Sequence, residues 1–419
     1  MLKTLIAHIK DLTNLFMKGR YVLFANMTEK VSFFFVFLVI ARKYSVDTYG
    51  SVVALFALFN ILMSFFDFGF NIYFQRAGAT AEGDISPDIA NGLSVRFLSF
   101  FPYLALGYLY FFFTGGRDST LAYIIGVSLF VIGINNLLTY VLFGKKQFRL
   151  AFWLLFISRA TLVVGFLILT FTDADIEFTM LNFLFAGVLH FILLIFQLKL
   201  SDIFRPHLSL SKEVLKKIFR SSIPLGIGVI LGWIYDRTDV LILQKYAGDV
   251  SVAIYAVAYS LYKFPQSFAN AIFTPLFTTL SKVFSDNGYI RFADLKRYIL
   301  FFIVYIASIA IVVYFAGGLI INLLYGEKYV GSIHYLIPLM IALPFLLFNN
   351  VTGITLNSCY REIYSTGSVF IAALLNLTLN FLLIPKYGIS GAVISTILTE
   401  FTILAIQLII ITKFRLIRL

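Results

Sequence analysis

The stretch LGWIYDRTDVLIL, from Leu231 to Leu243, carries three charged side chains, Asp236, Arg237 and Asp239, inside an otherwise apolar run. Asp236 and Asp239 are three residues apart and would share one face of a helix, whereas Arg237 is rotated by about 100° from Asp236. Buried carboxylates suit coupling to a proton or Na⁺ gradient, and a guanidinium binds phosphate groups in a bidentate manner. A salt-bridged set that joins two helices is the alternative interpretation.

Comparable charges occur in other apolar runs of the chain. The basic residues are Lys30, Arg96, Arg159, Arg237 and Lys263, and the acidic residues are Glu29, Asp67, Asp236, Asp239 and Glu400. Each charge at mid-bilayer costs about 2.5–3.5 kcal/mol on insertion scales, so such side chains normally face a bundle interior or a water-filled cavity. We predict that the basic set binds an anionic passenger such as a pyrophosphate, and that the acidic set serves ion coupling. Mutual pairing is the alternative, together with snorkelling of Arg96 to the headgroups and local pairing of Asp67.

The composition is typical of a membrane protein. Of 419 residues, 60% are hydrophobic and 13% are charged, against about 45–50% and about 25% in soluble domains. The single cysteine, Cys359, excludes an internal disulfide, and the four histidines show no metal-ligand spacing. The net charge of +12 is explained more simply by cytoplasmic loops than by nucleic-acid binding. We therefore predict no metal, no cofactor and no nucleic-acid partner.

Twelve apolar runs are long enough to cross a bilayer core of about 30 Å, which requires roughly 20 helical residues. They cover residues 21–41, 49–74, 91–113, 120–143, 150–171, 178–198, 219–243, 250–276, 297–317, 333–356, 366–384 and 388–411. If the N-terminus is cytoplasmic, 22 of the 33 Lys and Arg residues fall on that side and 6 on the other. The positive-inside rule therefore predicts that both termini are cytoplasmic. The first 20 residues do not resemble a cleaved signal peptide and predict an interfacial amphipathic helix.

Six spans precede and six follow a basic linker. Lys43, Tyr44 and Asp47 recur 202 positions later as Lys245, Tyr246 and Asp249, which favours an internal duplication. An even number of spans in each half gives parallel repeats, for which substrate sites at mid-membrane and alternating access are expected. The predicted fold is an all-α polytopic membrane protein with an N-terminal six-helix bundle (1–198), a cytoplasmic linker (199–218) and a C-terminal six-helix bundle (219–419).

Several motifs resemble those of Wzx-type polysaccharide flippases, the polysaccharide transporter branch of the MATE/MOP superfamily. DRTDVLILQKYAGDVSVAIYAVAYSL is similar to spans seven and eight of that family, with an acidic-basic pair, a Gly-Asp turn and an IYA-x-AY helix. EKVSFFFVFLVIARKYSVDTYGSVVALFALFNILMSFFDFGF resembles the first two spans, NLTLNFLLIPKYGISGAVISTILTE resembles the last two, and LLYGEKYVGS matches the turn after span nine. The resemblance covers most of the chain and is more specific for the superfamily than for any one branch.

The resemblance implies two six-helix bundles and the transfer of an undecaprenyl-pyrophosphate-linked oligosaccharide, of the O-antigen or capsule type, across the bacterial inner membrane. The related lipid II flippases usually carry two further spans, and a cavity with five basic residues is a poor host for the cationic passengers of drug exporters. Other polysaccharide assembly proteins are further partners that it suggests. A membrane-embedded polymerase or ligase of lipid-linked sugars is the alternative, but such an enzyme would need a sizeable outer loop, and a structural subunit without transport is a third. We predict a transporter that is not an enzyme.

Overall fold

The computed structural model is almost entirely helical. It describes residues 2–80, 84–114 and 119–418, and it describes their side chains except those of residues 2–19, 111–114, 119, 271 and 274. These ranges contain twelve α-helices, one 3-10 helix and two strands of two residues each.

The helices follow one another through short connections. In chain order they are α1 (Leu2–Lys43), α2 (Val46–Asp67), α3 (Phe70–Thr80), α4 (Ser86–Thr114), α5 (Ser119–Gly144), α6 (Phe148–Thr170), α7 (Ile176–Leu200), α8 (Lys212–Asn287), α9 (Phe292–Tyr325), the 3-10 helix (Glu327–Ser332), α10 (Ile333–Ser358), α11 (Glu362–Tyr387) and α12 (Ile389–Lys413). Strands β1 (Ile290–Arg291) and β2 (Ile417–Arg418) pair in parallel.

The described residues include eleven helical stretches that are long and apolar enough to cross a membrane. One of them, Lys212–Asn270, is 59 residues long and contains predicted span seven and most of predicted span eight. The backbone leaves the helical conformation at Gly248 (φ 78°). Beyond that residue the chain turns back, since Tyr255 contacts Asp239 and Tyr259 contacts Asp236. The predicted polytopic all-α fold is confirmed, and the cytoplasmic placement of the termini stays a prediction.

Two predicted boundaries differ from the structure. The predicted span 49–74 is interrupted at Phe68 and Gly69, which both have positive φ and separate α2 from α3. A Cβ on Gly69 would lie 2.3 Å from the carbonyl oxygen of Ser222, so close backbone approach requires glycine here. At the N-terminus, α1 is one continuous helix through the predicted interfacial segment and the first span. The amphipathic face predicted for that segment lies outside the described side chains.

The contacts divide the chain into two compact units. Unit 1 comprises residues 1–44 and 58–230, and unit 2 comprises residues 45–57 and 231–419. The predicted division at the linker 199–218 stays a prediction.

Unit 1 is organised around α5, which packs against α3, α4, α6 and α7. In the core of unit 1, aromatic rings pack against glycines. The ring of Phe59 occupies the space where Gly107 and Gly126 lack a Cβ, and it contacts the ring of Tyr103 at 5.6 Å between centroids. The Tyr103 hydroxyl, which is fully buried, donates to the carbonyl oxygen of Gly126. Part of the high phenylalanine content is therefore core packing rather than lipid contact.

Unit 2 is built on α12, which packs against α10 and α11, while α9 packs against α10. A buried polar network joins these helices. Gln407 of α12 donates to Ser368 of α11 and accepts from Thr352 of α10, and Asn380 donates to Asn376 within α11. Because water is absent from a bilayer core, polar side chains that pair with one another hold neighbouring spans together.

Close backbone contact between α3 and α5 gives a prediction on stability. A Cβ on Gly144 would lie 2.5 Å from the carbonyl oxygen of Gln75 and 2.9 Å from the Cα of Gly78. We expect Gly144→Ala to separate the two helices and to cost about 1–3 kcal/mol of stability. Thermal unfolding of the purified protein in detergent would show this as a lower Tm.

The matched control is Gly228→Ala in α8, where a Cβ would meet no atom of the described residues within 4 Å. That change should leave the Tm unaltered or raise it slightly, because alanine restricts the unfolded chain. Equal Tm values for the two variants would contradict the proposed role of the α3–α5 contact.

Candidate functional site

The two arms of α8 on either side of Gly248 bring three predicted site residues together in unit 2. Arg237 Nε lies 3.3 Å from Asp236 Oδ2, and Lys263 Nζ lies 3.5 Å from Asp236 Oδ1. Tyr259, one turn before Lys263, donates its hydroxyl to Asp236 Oδ1 at 3.0 Å. We call these four residues the Asp236 cluster.

One carboxylate in the Asp236 cluster faces two cations. The side chains of Arg237, Asp236 and Lys263 are 38%, 32% and 22% exposed, so all three are only partly covered by the protein. Arg237 also lies over the ring of Trp233, and Lys263 lies near the rings of Tyr259 and Tyr262. The four residues of the cluster therefore carry one net positive charge, stabilised in part by aromatic faces. Glu400 and Asp239 lie close enough to interact electrostatically with Lys263 and Arg237, respectively.

Glu400 of α12 lies in buried surroundings in the same unit. Tyr235 donates its hydroxyl to Glu400 Oε1 at 3.0 Å, and Asn349 of α10 donates to Oε2 at 2.7 Å and to the backbone carbonyl of Glu400 at 2.9 Å. Glu400 forms no ion pair with the described residues. Its partners are neutral donors, so its charge is not cancelled by a direct contact.

Asp239 differs from Asp236 although the two lie three residues apart. Asp239 is buried, and it accepts hydrogen bonds from the Tyr255 hydroxyl at 2.5 Å and from the backbone N–H of Val240. The structure thus places Asp239 beside a tyrosine in the core and Asp236 in the partly exposed cationic cluster.

Unit 1 contains a second group of predicted site residues. Arg159 of α6 is buried, and its Nη2 lies 3.1 Å from Oε1 of Glu29 in α1, whose side chain is 36% exposed. The Arg159 guanidinium also lies over the ring of Phe33. Lys30, next to Glu29, is exposed and forms no ion pair with any residue that the structure describes. Lys30 and Glu29 are therefore accessible, whereas Arg159 supports Glu29 from within the helix bundle.

Arg96 and Asp67 form a closed pair in unit 1. Arg96 Nη2 lies 2.6 Å from Asp67 Oδ1, Nη1 donates to the carbonyl oxygen of Phe66, and the two side chains are 0% and 8% exposed. This geometry corresponds to the local pairing that the sequence left as an alternative. The roles assigned to all ten charged residues stay predictions.

Sequence reasoning did not identify the polar partners of these charges. Tyr235, Tyr259 and Asn349 bind the predicted carboxylates. His190 is buried near Arg159, and its Nε2 has no hydrogen-bond partner among the residues that the structure describes. Only Tyr259 carries a sequence signal, because it lies four residues before Lys263 on the same helical face. The other partners are too far away along the chain for their pairing to show in a local pattern.

Comparisons with known proteins match this sequence to a family. The sequence model described as "Polysaccharide biosynthesis protein" matches residues 17–284. The capsular polysaccharide biosynthesis protein CapF of Staphylococcus aureus is 27% identical over 45% of this chain and 48% of its own length. A candidate O-antigen transporter of Shigella dysenteriae is 24% identical over 92% of this chain and 98% of its own. The chain thus spans less than half of the first of these relatives and nearly all of the second.

Solved structures show the same fold. The lipid II flippase MurJ, in an inward closed conformation, aligns with a TM-score of 0.73 and 18% identity over 95% of this chain and 88% of its own. An inward-facing MATE family transporter of the MOP superfamily aligns with a TM-score of 0.70 and 14% identity over 94% of this chain and 99% of its own. The predicted MATE/MOP-like fold and multi-pass membrane location are confirmed. Because the family match covers more than half of the residues, this chain belongs to the polysaccharide biosynthesis protein family.

Proposed function

We propose that this protein is a flippase that moves an undecaprenyl-pyrophosphate-linked oligosaccharide repeat unit, of the O-antigen or capsule type, across the bacterial inner membrane by alternating access. The observation that carries the proposal is the Asp236 cluster, in which Arg237 and Lys263 share one carboxylate. An uncompensated cation in a span is costly, and such residues mark substrate or ion pathways. A pyrophosphate supplies the negative charge that the cluster lacks, and Arg and Lys are its usual partners in proteins.

In unit 1, the exposed residue Lys30 and the partly exposed residue Glu29 are further candidates for contact with the passenger or the coupling ion. Lys30 is available to a passenger, and Arg159 holds Glu29 at the exposed end of an ion pair. Arg96 and Asp67 are left out of the proposed substrate path, because their charges cancel each other in a buried contact. The proposed substrate contacts are therefore Lys30, Arg237 and Lys263, with Arg159 as a positioning residue.

Ion coupling is assigned in this proposal to carboxylates that lack a complete counter-charge. Among the described residues, the hydrogen-bond donors to the Glu400 carboxylate are neutral, from Tyr235 and Asn349, and Lys263 interacts with it without a direct contact. Gain of a proton or a Na⁺ ion would therefore not break an ion pair. Asp236 and Glu29 are partly exposed acids that can exchange partners during a transport cycle. A proton or Na⁺ gradient is the proposed energy source.

The first of three functional predictions concerns the cations of the Asp236 cluster. Arg237→Ala and Lys263→Ala should each reduce surface polysaccharide about tenfold or more, because each removes a charged contact worth about 1.5–3 kcal/mol. The measurement is the amount of surface polysaccharide in cells that depend on this protein, compared with its level in the membrane fraction. Lys245→Ala is the matched control, since Lys245 lies on the same helix and forms no ion pair with described residues. Normal polysaccharide in both test variants would refute the assigned roles.

Water access to Lys30 provides a second prediction. In a Cys359→Ala background, which has no other cysteine, Lys30→Cys should react with a charged methanethiosulfonate reagent in intact membranes, because thiol reagents of this kind modify thiolates in water. Ala25→Cys is the control and should stay unmodified, because Ala25 is 2% exposed. A lack of reaction at both positions would place Lys30 away from any aqueous path.

The third prediction concerns Glu400. Glu400→Gln keeps the side-chain shape and an acceptor for Tyr235 or Asn349, but it cannot bind a proton or carry a charge. We expect transport in proteoliposomes to lose its response to an imposed proton or Na⁺ gradient. Glu362→Gln, an exposed acid at the start of α11, is the control and should respond as the unmodified protein does. An unchanged gradient response in Glu400→Gln would remove this residue from the coupling proposal.

A further inference from the structure

The connection between α7 and α8, residues 201–211, carries two exposed leucines in unit 1 and leads into a lysine-rich first part of α8. Its backbone is docked on α4, because the N–H of Ser209 donates to Ser94 Oγ at 2.9 Å and the N–H of Ser211 donates to Asn91 Oδ1 at 2.6 Å. Leu208 and Leu210 are nevertheless 63% and 58% exposed. The segment is held in place while two large apolar side chains point away from the protein, which suits contact with a bilayer rather than with water.

The first turns of α8 carry a stripe of basic side chains. Lys212, Lys216 and Arg220 follow one another at intervals of four residues, so they lie on one helix face. All three are exposed, and none forms an ion pair with the residues in the described ranges. Lys217 points elsewhere and pairs with Asp88 at 2.9 Å. We call Lys212, Lys216 and Arg220 the α8 basic stripe.

Further along α8, the face that carries the basic stripe becomes apolar. After Arg220 it continues with Ile223 and Ile227, which are 47% and 54% exposed. The opposite face is buried at Ile218 and Ser222. At 1.5 Å per residue, the stripe covers about 12 Å and the first isoleucine follows about 4.5 Å later. Cations followed by exposed aliphatic residues are the order expected where a helix passes from headgroups into hydrocarbon.

We propose that Leu208, Leu210 and the α8 basic stripe form a binding surface for the anionic lipid headgroups of the bilayer. The nearby acids do not cancel the stripe, since Asp202 pairs with Arg205 and only Glu213 is exposed beside it. A surface with three cations and one acid attracts an anionic leaflet, and the leucines add apolar contact. The proposal does not depend on the identity of the transported compound.

The test compares lipids at a reporter beside the stripe. The full chain with Cys359→Ala and Leu210→Cys, labelled with a fluorophore, is placed in nanodiscs that contain phosphatidylcholine and a small fraction of lipid spin-labelled at the headgroup. Spin-labelled phosphatidylglycerol should quench the fluorophore at a several-fold lower fraction than spin-labelled phosphatidylcholine. Each cation near an anionic surface accounts for about a fivefold change in lipid association. The triple variant Lys212→Gln/Lys216→Gln/Arg220→Gln should therefore lose the preference.

A matched triple variant controls for net charge. Lys145→Gln/Lys146→Gln/Arg149→Gln removes three positive charges around the connection between α5 and α6, and it should retain the preference. Two results would overturn the proposal: equal quenching by the two lipids when the α8 basic stripe is intact, or a preference for phosphatidylglycerol that remains in the triple variant of the stripe.

A soluble phosphate compound could bind the same cations as a lipid headgroup. If inorganic pyrophosphate abolished the preference where NaCl of equal ionic strength did not, the stripe would be a pyrophosphate site and the proposal would also fail.

Discussion

The balance of charge around each carboxylate in the spans is the constraint on which the rest of the structure depends. Where a carboxylate and a cation are both buried, as in Asp67 and Arg96, their charges cancel and the helices are joined. In the pair of Glu29 with Arg159, the carboxylate is partly exposed and the guanidinium is buried. Asp236 cannot balance both Arg237 and Lys263. The cost of a charge in hydrocarbon rises as its compensation falls, and the proposed function assigns the least compensated charges to the passenger.

Tyrosines donate hydrogen bonds to three of the carboxylates in unit 2. Tyr259 and Tyr255 donate to Asp236 and Asp239, and Tyr235 donates to Glu400, so neutral hydroxyls provide hydrogen bonds without supplying a positive charge. A phenol can stabilise a carboxylate in the low dielectric of a span while leaving the net charge of the site unchanged. In the proposed mechanism, that net charge is what a passenger or a coupling ion would meet. Replacing these phenols by cations would satisfy the same carboxylates and would remove that availability.

Much of the fold followed from the sequence, since long apolar runs predict spans whatever their neighbours are. The twelve predicted spans agree with eleven helical stretches, because the longest stretch turns back at Gly248. The break at Phe68 and Gly69 was missed, since both residues lie inside an apolar run and the turn depends on close approach to Ser222. Charge pairing could not be predicted either. Glu29 and Arg159 are 130 positions apart, and no local pattern indicates which distant side chains will meet.

The turn at Gly248 also sets the register between the two arms of α8. Asp236 meets Tyr259 and Lys263 only because the arms have a fixed number of residues on either side of the turn. One inserted or deleted residue in either arm would rotate everything beyond it by about 100° and shift it by about 1.5 Å. Lys263 would then leave Asp236 although neither residue had changed. Length variation among relatives should therefore be rarer between these residues than in the connections elsewhere in the chain.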